Sequence, residues 1–237
     1  MILAINTSSP QLGLALMQED ETVLAEFSTS RKKGHFGSFM PALNFLLSTT
    51  QSDIRAVRAL VVATGPGSFT GLRVGLSTAK GLCHALEVPI IGISSLEAMA
   101  AQVAHLGPSI TPILDSRKRE YFAAQFVSNT NCHLVRNMDD TYARLEDFPI
   151  LFEKPTLFIG NDFPSQAPLI RKTLGQEVFL APAYLWTLKA SAVGHLGLER
   201  YHAHDFDDAR LLNPQYLRPP SIRPNPFPPI SEEGTRP

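Results

Sequence analysis

The chain has 237 residues, enough for one large domain or two small ones with buried cores. Apolar residues make up 44% of the sequence and charged residues 18%, which is typical of globular proteins and excludes disordered and fibrous ones. Because the formal net charge is -1, the field of the whole molecule does not attract phosphate, which argues against a free-standing RNA-binding protein.

The first section of the chain predicts an antiparallel meander followed by alternating helices and buried strands. Ser38 is expected to cap the first helix, with Pro41 in its first turn, and the spacing of Ser94 and Glu97 indicates a capping box. The expected strands are 2–6, 12–17, 22–27, 59–64 and 88–93, and the expected helices are 38–48, 69–86 and 96–105.

A second section repeats this pattern after a break at Gly107 and Pro108. Strands are expected at 110–114, 121–127, 133–138 and 156–159, and a helix at 188–202 is expected to pack on the second lobe. Order is expected to fade after Asn213, where closely spaced prolines predict an extended tail. The predicted domains are therefore an N-terminal lobe at 1–106, a C-terminal lobe at 107–213 and a proline-rich tail at 214–237.

Targeting signals and reactive cysteines are not apparent in the sequence. Residues 1–9 carry no basic region and become polar within one strand length, so they do not predict a signal peptide. No apolar run reaches the ~20 residues that a membrane helix needs. Cys83 and Cys132 lack a CxxC spacing, which favours reduced, packed thiols. We expect a cytoplasmic protein without membrane contact.

Two polar segments are candidates for nucleotide contact. The turn after the first strand can be a plain hairpin turn or can face a phosphate, but Asn6 carries a neutral amide, which cannot supply the charge of a magnesium ligand. The glycine loop after strand 59–64 precedes a helix whose N-terminus favours anions, although its spacing is neither Walker A nor the dinucleotide fingerprint. The candidate nucleotide contacts are Asn6, Thr7, Ser8, Gly65, Gly67 and Ser68.

Two helices of the first section are apolar over unusually wide arcs. In helix 69–86 small residues recur four apart, which would let another helix approach closely. Such helices are either central in a core or half buried against a partner, and we predict a subunit interface, with a purely internal core as the alternative. The predicted interface residues are Phe39, Met40, Leu43, Leu46, Leu47, Gly71, Leu72, Gly75, Leu76 and Ala79.

Metal and hydrolase signatures are weaker. His202 and His204 form an HxH pair without a companion carboxylate motif, which is more typical of a solvated helix end than of a metal site. The sequence has no GxSxG motif and pairs no serine with a base. We assign no catalytic residue and no metal ligand.

Several segments resemble the TsaB (YeaZ) family in their order along the chain. They are residues 2–8, 65–75, 93–98, 115–118 and 214–219, so the resemblance spans nearly the whole sequence. It implies an α/β fold of the actin-like and sugar-kinase-like (ribonuclease H-like) type, with two lobes of mixed sheets flanked by helices. It also implies a role in making threonylcarbamoyladenosine beside the tRNA anticodon.

The resemblance further implies a subunit that is not an enzyme on its own. Its expected partners are the catalytic paralogue TsaD, which binds a metal through paired histidines, the ATPase TsaE, and tRNA reached through the complex. The segment 96–105 lacks those paired histidines. The resemblance places the partner surface on the two N-terminal-lobe helices, through which TsaB chains can also form homodimers. The resemblance implies no cofactor for the chain itself. ATP or ADP at the interface of the complex is the one nucleotide cofactor that it permits.

A different class of function is an ATP-dependent small-molecule kinase of the same fold, which the turn 6–9 and the Gly65 loop would serve. A peptidase is a third alternative, for which the sequence shows no nucleophile and base. Turnover of Mg-ATP by the purified chain separates the kinase from the accessory subunit.

Overall fold

The structure is a computed structural model that describes residues 1–29, 35–116, 119–129, 133–153, 155–175 and 178–218, with the backbone alone at residues 35 and 36. Its two five-stranded sheets and their flanking helices form the actin-like, sugar-kinase-like architecture that the sequence predicts.

The first sheet is a meander extended by two parallel strands. Its order is β3-β2-β1-β4-β5, with β1 antiparallel to β2 and parallel to β4. Every residue of β1, β2 and the first five of β4 is buried, because helices cover both faces of the sheet. The strands are β1 Ile2–Asn6, β2 Leu12–Met17, β3 Val23–Thr29, β4 Ala59–Gly65 and β5 Ile90–Ser94.

The second sheet repeats this topology, which confirms the repeat predicted from the sequence. Its order is β8-β7-β6-β9-β10, so each strand holds the place of its counterpart in the first sheet. The short strand β10 was not predicted. The strands are β6 Ser109–Asp115, β7 Glu120–Ser128, β8 Leu134–Arg144, β9 Leu157–Ile159 and β10 Phe179–Leu180.

The helices divide the interior into two cores. α1 (His35–Thr49) and α2 (Phe69–Leu86) cover the outer face of the first sheet. α3 (Ser95–Ala101) and α6 (Ala190–His202) pack on its inner face, in a core that continues into the second sheet. α4 (Phe148–Leu151) and α5 (Phe163–Leu174) belong to the second half. Within the described ranges, no helix combines the length and the apolar character needed to cross a membrane.

Helix α6 does not pack where the sequence analysis expects it. It lies on β1, β2, β4 and β5 of the first sheet rather than on the second lobe. Gly194 and Gly197 permit this approach, because a Cβ at Gly197 would stand 2.3 Å from Cγ1 of Val61 and one at Gly194 would stand 3.0 Å from Cβ of Ala4. α6 thus begins beyond residue 106 but packs on the sheet of the first lobe. The lobe boundaries at 106 and 213 stay predictions.

Helix α1 begins earlier than predicted. It starts at His35, so Ser38 is not its N-cap and Pro41 lies inside it rather than in its first turn. Pro41 has no N–H for the carbonyl of Gly37, but both residues are exposed, so water can hydrate that carbonyl. The predicted cap of α3 is confirmed, since Oγ of Ser94 accepts a hydrogen bond of 3.4 Å from the N–H of Glu97.

Candidate functional site

The polar turn between β1 and β2 is buried, and the side chains of Asn6 and Ser8 make hydrogen bonds within the chain. Asn6 to Ser9 are at most 1% exposed. Nδ2 of Asn6 donates to the carbonyl of Leu188 at 2.9 Å, and its Oδ1 accepts from both the N–H of Ser8, at 3.0 Å, and the hydroxyl of Ser8, at 2.7 Å. The Asn6 amide is thus engaged on both of its polar atoms.

The glycine loop after β4 packs directly on this turn, so the structure brings the two candidate nucleotide segments together. The N–H of Ser68 donates to the carbonyl of Ser8 at 2.6 Å. A Cβ at Gly67, which has φ 158°, would stand 2.1 Å from that carbonyl oxygen. Oγ of Ser68 caps α2 by accepting from the N–H of Gly71 at 3.2 Å. The lack of a side chain at Gly67 therefore permits its close contact with Ser8 of the same chain.

The turn in this conformation does not fit a magnesium-bound nucleotide. Residues 6–9 include no carboxylate to hold the metal, and their side chains are withdrawn from solvent. Among the described residues, Oγ1 of Thr7 and Oγ of Ser9 are buried without a hydrogen-bond partner. We derive no nucleotide chemistry from this turn, and the nucleotide contacts stay predictions.

Most of the predicted interface residues face the interior of their own chain. The small-residue face of α2 lies against the β1–β2 turn: a Cβ at Gly71 would stand 2.0 Å from the carbonyl oxygen of Thr7, and one at Gly75 would stand 2.1 Å from its Oγ1. The close neighbour of these glycines is thus Thr7 and not a second helix. Met40 is 51% exposed and Leu47 is half-buried, whereas the remaining members are buried: Phe39, Leu43, Leu46, Leu72, Leu76 and Ala79.

A different face of the same two helices is open to solvent. On α1, Met40 and Phe45 are 51% and 60% exposed. On α2 the exposed residues recur four apart, and a Cβ at Gly81 would have no atom within 4 Å. We call this row the α2 stripe; it consists of Phe69, Arg73, Ser77, Gly81 and Ala85. The sequence analysis selected none of these five residues, although they have the same spacing as the small residues it selected. The interface itself stays a prediction.

The segment that follows Asn213 is ordered by contacts as far as Arg218, contrary to expectation. The N–H of Gln215 donates to the carbonyl of Thr64 at 2.8 Å. The ring of Tyr216 lies 4.9 Å from that of Phe69, and its hydroxyl accepts from Nε of Arg73 at 3.0 Å. The rest of the predicted tail, residues 219–237, lies outside the described residues.

Two carboxyl groups share an arginine between α3 and β8. Nη2 of Arg136 lies 3.8 Å from the carboxylate of Glu97, and its Nη1 donates to Asp140. Burial raises the pKa of both Glu97 and Asp140, against the opposing effect of the Arg136 charge. This cluster is a structural ion-pair group.

The other candidate reactive groups are separated or engaged. Nε2 of His202 lies 2.9 Å from the carbonyl oxygen of Glu19, and the described part of the chain holds no cluster of three residues suited to a metal ion. The thiol of Cys83 donates to the carbonyl of Val88 at 2.8 Å, and burial raises the pKa of that thiol. Cys132 lies outside the described residues.

Comparison with known proteins identifies the family. The family model of TsaD, tRNA N6-adenosine threonylcarbamoyltransferase, matches residues 22–196, more than half of the chain. The tRNA threonylcarbamoyladenosine biosynthesis protein TsaB of Bacillus subtilis (strain 168) is 38% identical over 92% of this chain and 93% of its own length. The chain belongs to the TsaB family.

Solved structures agree with this TsaB-family assignment at the level of the fold. YeaZ from Pseudomonas aeruginosa has a TM-score of 0.74 at 19% identity and covers 90% of this chain and 99% of its own. The activator of the 2-hydroxyisocaproyl-CoA dehydratase from Clostridium difficile, solved with bound ADPNP, has a TM-score of 0.51 at 10% identity and covers 86% and 97%. The similarity to the dehydratase activator concerns only the shared two-sheet architecture.

Proposed function

We propose that this TsaB-family chain is the non-catalytic dimerisation subunit of the complex that makes threonylcarbamoyladenosine at adenosine 37 of tRNA. In this proposal it binds and supports a TsaD-like catalytic paralogue in the cytoplasm, together with a TsaE-like ATPase. Family membership supports the pathway, because the relative from Bacillus subtilis is named for that biosynthesis. The family model that matches is itself named for the transferase, which supports descent from a common ancestor with the catalytic subunit.

The observation that carries the non-catalytic role is the closed β1–β2 turn. Asn6 supplies a neutral amide that already makes hydrogen bonds to Leu188 and Ser8, and Gly67 packs against the carbonyl oxygen of Ser8. A phosphoryl-transfer enzyme needs open positions for phosphate oxygens and a charged ligand for its metal. The turn offers neither in this conformation, so any ATP or ADP in the assembly is expected at the interface between subunits.

The exposed face of α1 and α2 is the surface that we assign to the partner. Met40 and Phe45 supply apolar area on α1, and the small residues of the α2 stripe leave space for the backbone of another helix to approach. The same surface can pair two copies of this chain when the paralogue is absent. The near-zero net charge supports tRNA binding by the assembled complex rather than by this chain alone.

A small-molecule kinase is the second candidate, and the shared fold with nucleotide-binding proteins is the observation that favours it. Two measurements separate the candidates. The purified chain with Mg-ATP is expected to release phosphate far below enzyme-like rates, which are on the order of 1 per second or more. A tagged chain captured from its native cytosol is expected to carry the TsaD-like paralogue. Turnover at enzymatic rates, or capture without the paralogue, would refute the proposal.

A further inference from the structure

We propose that residues 213–218, which we call the latch, form a releasable clasp between the two lobes and hold the β1–β2 turn closed. The latch runs across the carboxyl end of β4 to the β6–β7 turn. This inference goes beyond the proposed function, because every contact in it lies within one chain.

One end of the latch is fixed to the first lobe. Gln215 donates its N–H to the carbonyl of Thr64 at 2.8 Å, and its own carbonyl oxygen would lie 3.0 Å from a Cβ at Gly65. Tyr216 packs on Phe69 and accepts from Nε of Arg73 at 3.0 Å. The guanidinium of Arg73 also lies 4.0 Å above the ring of Phe69. The latch therefore contacts the glycine loop at Gly65 and the start of α2 at Phe69 and Arg73.

The other end of the latch is fixed to the second lobe. Nη1 of Arg218 donates to the carbonyl of Ser116 at 2.7 Å and lies 3.5 Å from the carboxylate of Glu120. Ser116 follows β6 and Glu120 begins β7, so Arg218 holds the turn that corresponds to the β1–β2 turn of the first lobe. Leu217, between the two anchors, packs against the core that joins the sheets.

A short path of contacts connects the latch to the buried turn. Tyr216 packs on Phe69, which begins α2 directly after the cap residue Ser68. Ser68 in turn donates its N–H to the carbonyl of Ser8 at 2.6 Å. Release of the latch frees the glycine loop first, and the β1–β2 turn loses its cover with it. The amides of Ser8 and Ser68 therefore report the state of the latch.

The latch is built for release rather than for permanent closure. Residues 213–218 belong to no helix or strand, and the two rings in contact are 47% exposed at Phe69 and 43% exposed at Tyr216. Water can compete for the exposed hydrogen bond between Arg73 and Tyr216, and no sheet hydrogen bond of either lobe breaks when the segment leaves. Segments held by a few exposed contacts are the ones that open locally below the global unfolding transition.

Buried polar atoms in the two turns favour opening. Within the described ranges, the hydroxyls of Thr7 and Ser9 in the first turn and of Ser116 in the second are buried without a hydrogen-bond partner. Such groups regain hydrogen bonds when water reaches them. The closed turn is thus opposed by its own polar side chains, and the latch supplies contacts that keep it closed.

The test is amide hydrogen exchange, followed by NMR, on the full chain without a partner. Tyr216→Ala removes the ring contact and the Arg73 hydrogen bond, and we expect exchange at Ser8 and Ser68 to become about tenfold faster. Exchange in β7 and β8 should not change. Tyr216→Phe keeps the ring and loses only the hydroxyl, so its exchange rates should fall between those of the wild type and Tyr216→Ala.

Two further variants complete the test. Arg218→Ala should speed exchange at Ser116, whose N–H donates to the carbonyl of Glu120 at 2.9 Å. Tyr184→Ala removes a tyrosine that is 79% exposed and lies outside the latch, and it should change none of these amides. Unchanged exchange at Ser8 and Ser68 in both Tyr216 variants would overturn the proposal. A uniform increase that includes β7 would also overturn it, since that result marks general destabilisation.

Discussion

Gly75 and Gly81 both lie in α2 but have opposite surroundings. Gly75 is buried against Thr7, whereas Gly81 is exposed with open space around its Cα. Glycine inside a helix normally lowers the stability of the protein relative to alanine. A helical glycine is therefore explained where a tertiary contact leaves no room for a Cβ. At Gly75 the tertiary contact requires glycine, and at Gly81 nothing in the described part of the chain does.

The two glycines give a matched pair of predictions. Gly75→Ala places a Cβ 2.1 Å from Oγ1 of Thr7 and is expected to lower the free energy of unfolding by about 1–3 kcal/mol. Gly81→Ala meets no atom within 4 Å and is expected to raise it by roughly 0.5–1 kcal/mol. Urea unfolding of both variants measures the difference. Equal effects would show that α2 does not pack on the β1–β2 turn as described.

The carboxyl group of Glu97 provides a prediction about pH. Burial raises the pKa of Glu97 in the folded chain above its ordinary value of 4.5, so the charged form costs stability at neutral pH. That cost disappears as the pH falls through the raised pKa towards 4.5. Glu97→Gln removes the charge, so the stability of this variant relative to the wild type should be greatest at pH 7 and decrease as the pH is lowered.

Chemical denaturation at several pH values measures this relative stability. Glu146→Gln, at an exposed glutamate, is the control for the substitution itself. A relative stability of Glu97→Gln that grows as the pH falls would contradict the assigned direction of the shift.

At the scale of single elements, the sequence predicted the bounds of those strands and helices that depend on local patterns. β1, β2 and α2 have the bounds expected from their alternation, glycine loop and helical period. α5 was missed because Pro164 and Pro168 argue against a helix, yet Asp162 caps its start and Pro164 lies in the first turn. The direction in which α2 turns its small residues could not be predicted, because it depends on contact with Thr7, which is distant in sequence.

The exposed α2 stripe leads to a prediction about partner binding. Gly81→Phe adds a ring in the centre of the stripe and is expected to abolish co-purification with the TsaD-like paralogue, because it blocks close approach of a second helix. The buried Gly75 cannot serve in this test, since any large residue there collides with Thr7.

Thr173→Phe is the matched control for that variant. It adds the same ring at an exposed position of α5 in the second half of the chain. Co-purification should be retained in the control and lost in Gly81→Phe, with both variants folded by circular dichroism. Retention of the paralogue by Gly81→Phe would place the interface on another surface.

At the scale of the whole molecule, the repeated topology could be read from the sequence, but the joining of the halves could not. Each half shows its own meander and glycine break, so the two sheets were predictable. α6 returns to the first sheet through Gly194 and Gly197, and residues 213–218 cross between the lobes. These long-range contacts leave no periodic signal. The β1–β2 turn is closed by other long-range contacts, from Leu188, Gly67, Gly71 and Gly75, and its burial was not foreseen for the same reason.

Reconstitution of threonylcarbamoyladenosine on unmodified tRNA tests the central claim most directly. The reaction is run with the TsaD-like paralogue, the TsaE-like ATPase, the threonylcarbamoyl-adenylate donor and this chain, omitting one protein at a time. We predict that this chain alone modifies no tRNA and that the paralogue loses most of its sustained activity without it. Modification by this chain alone, or full activity of the paralogue in its absence, would contradict its role as an accessory subunit.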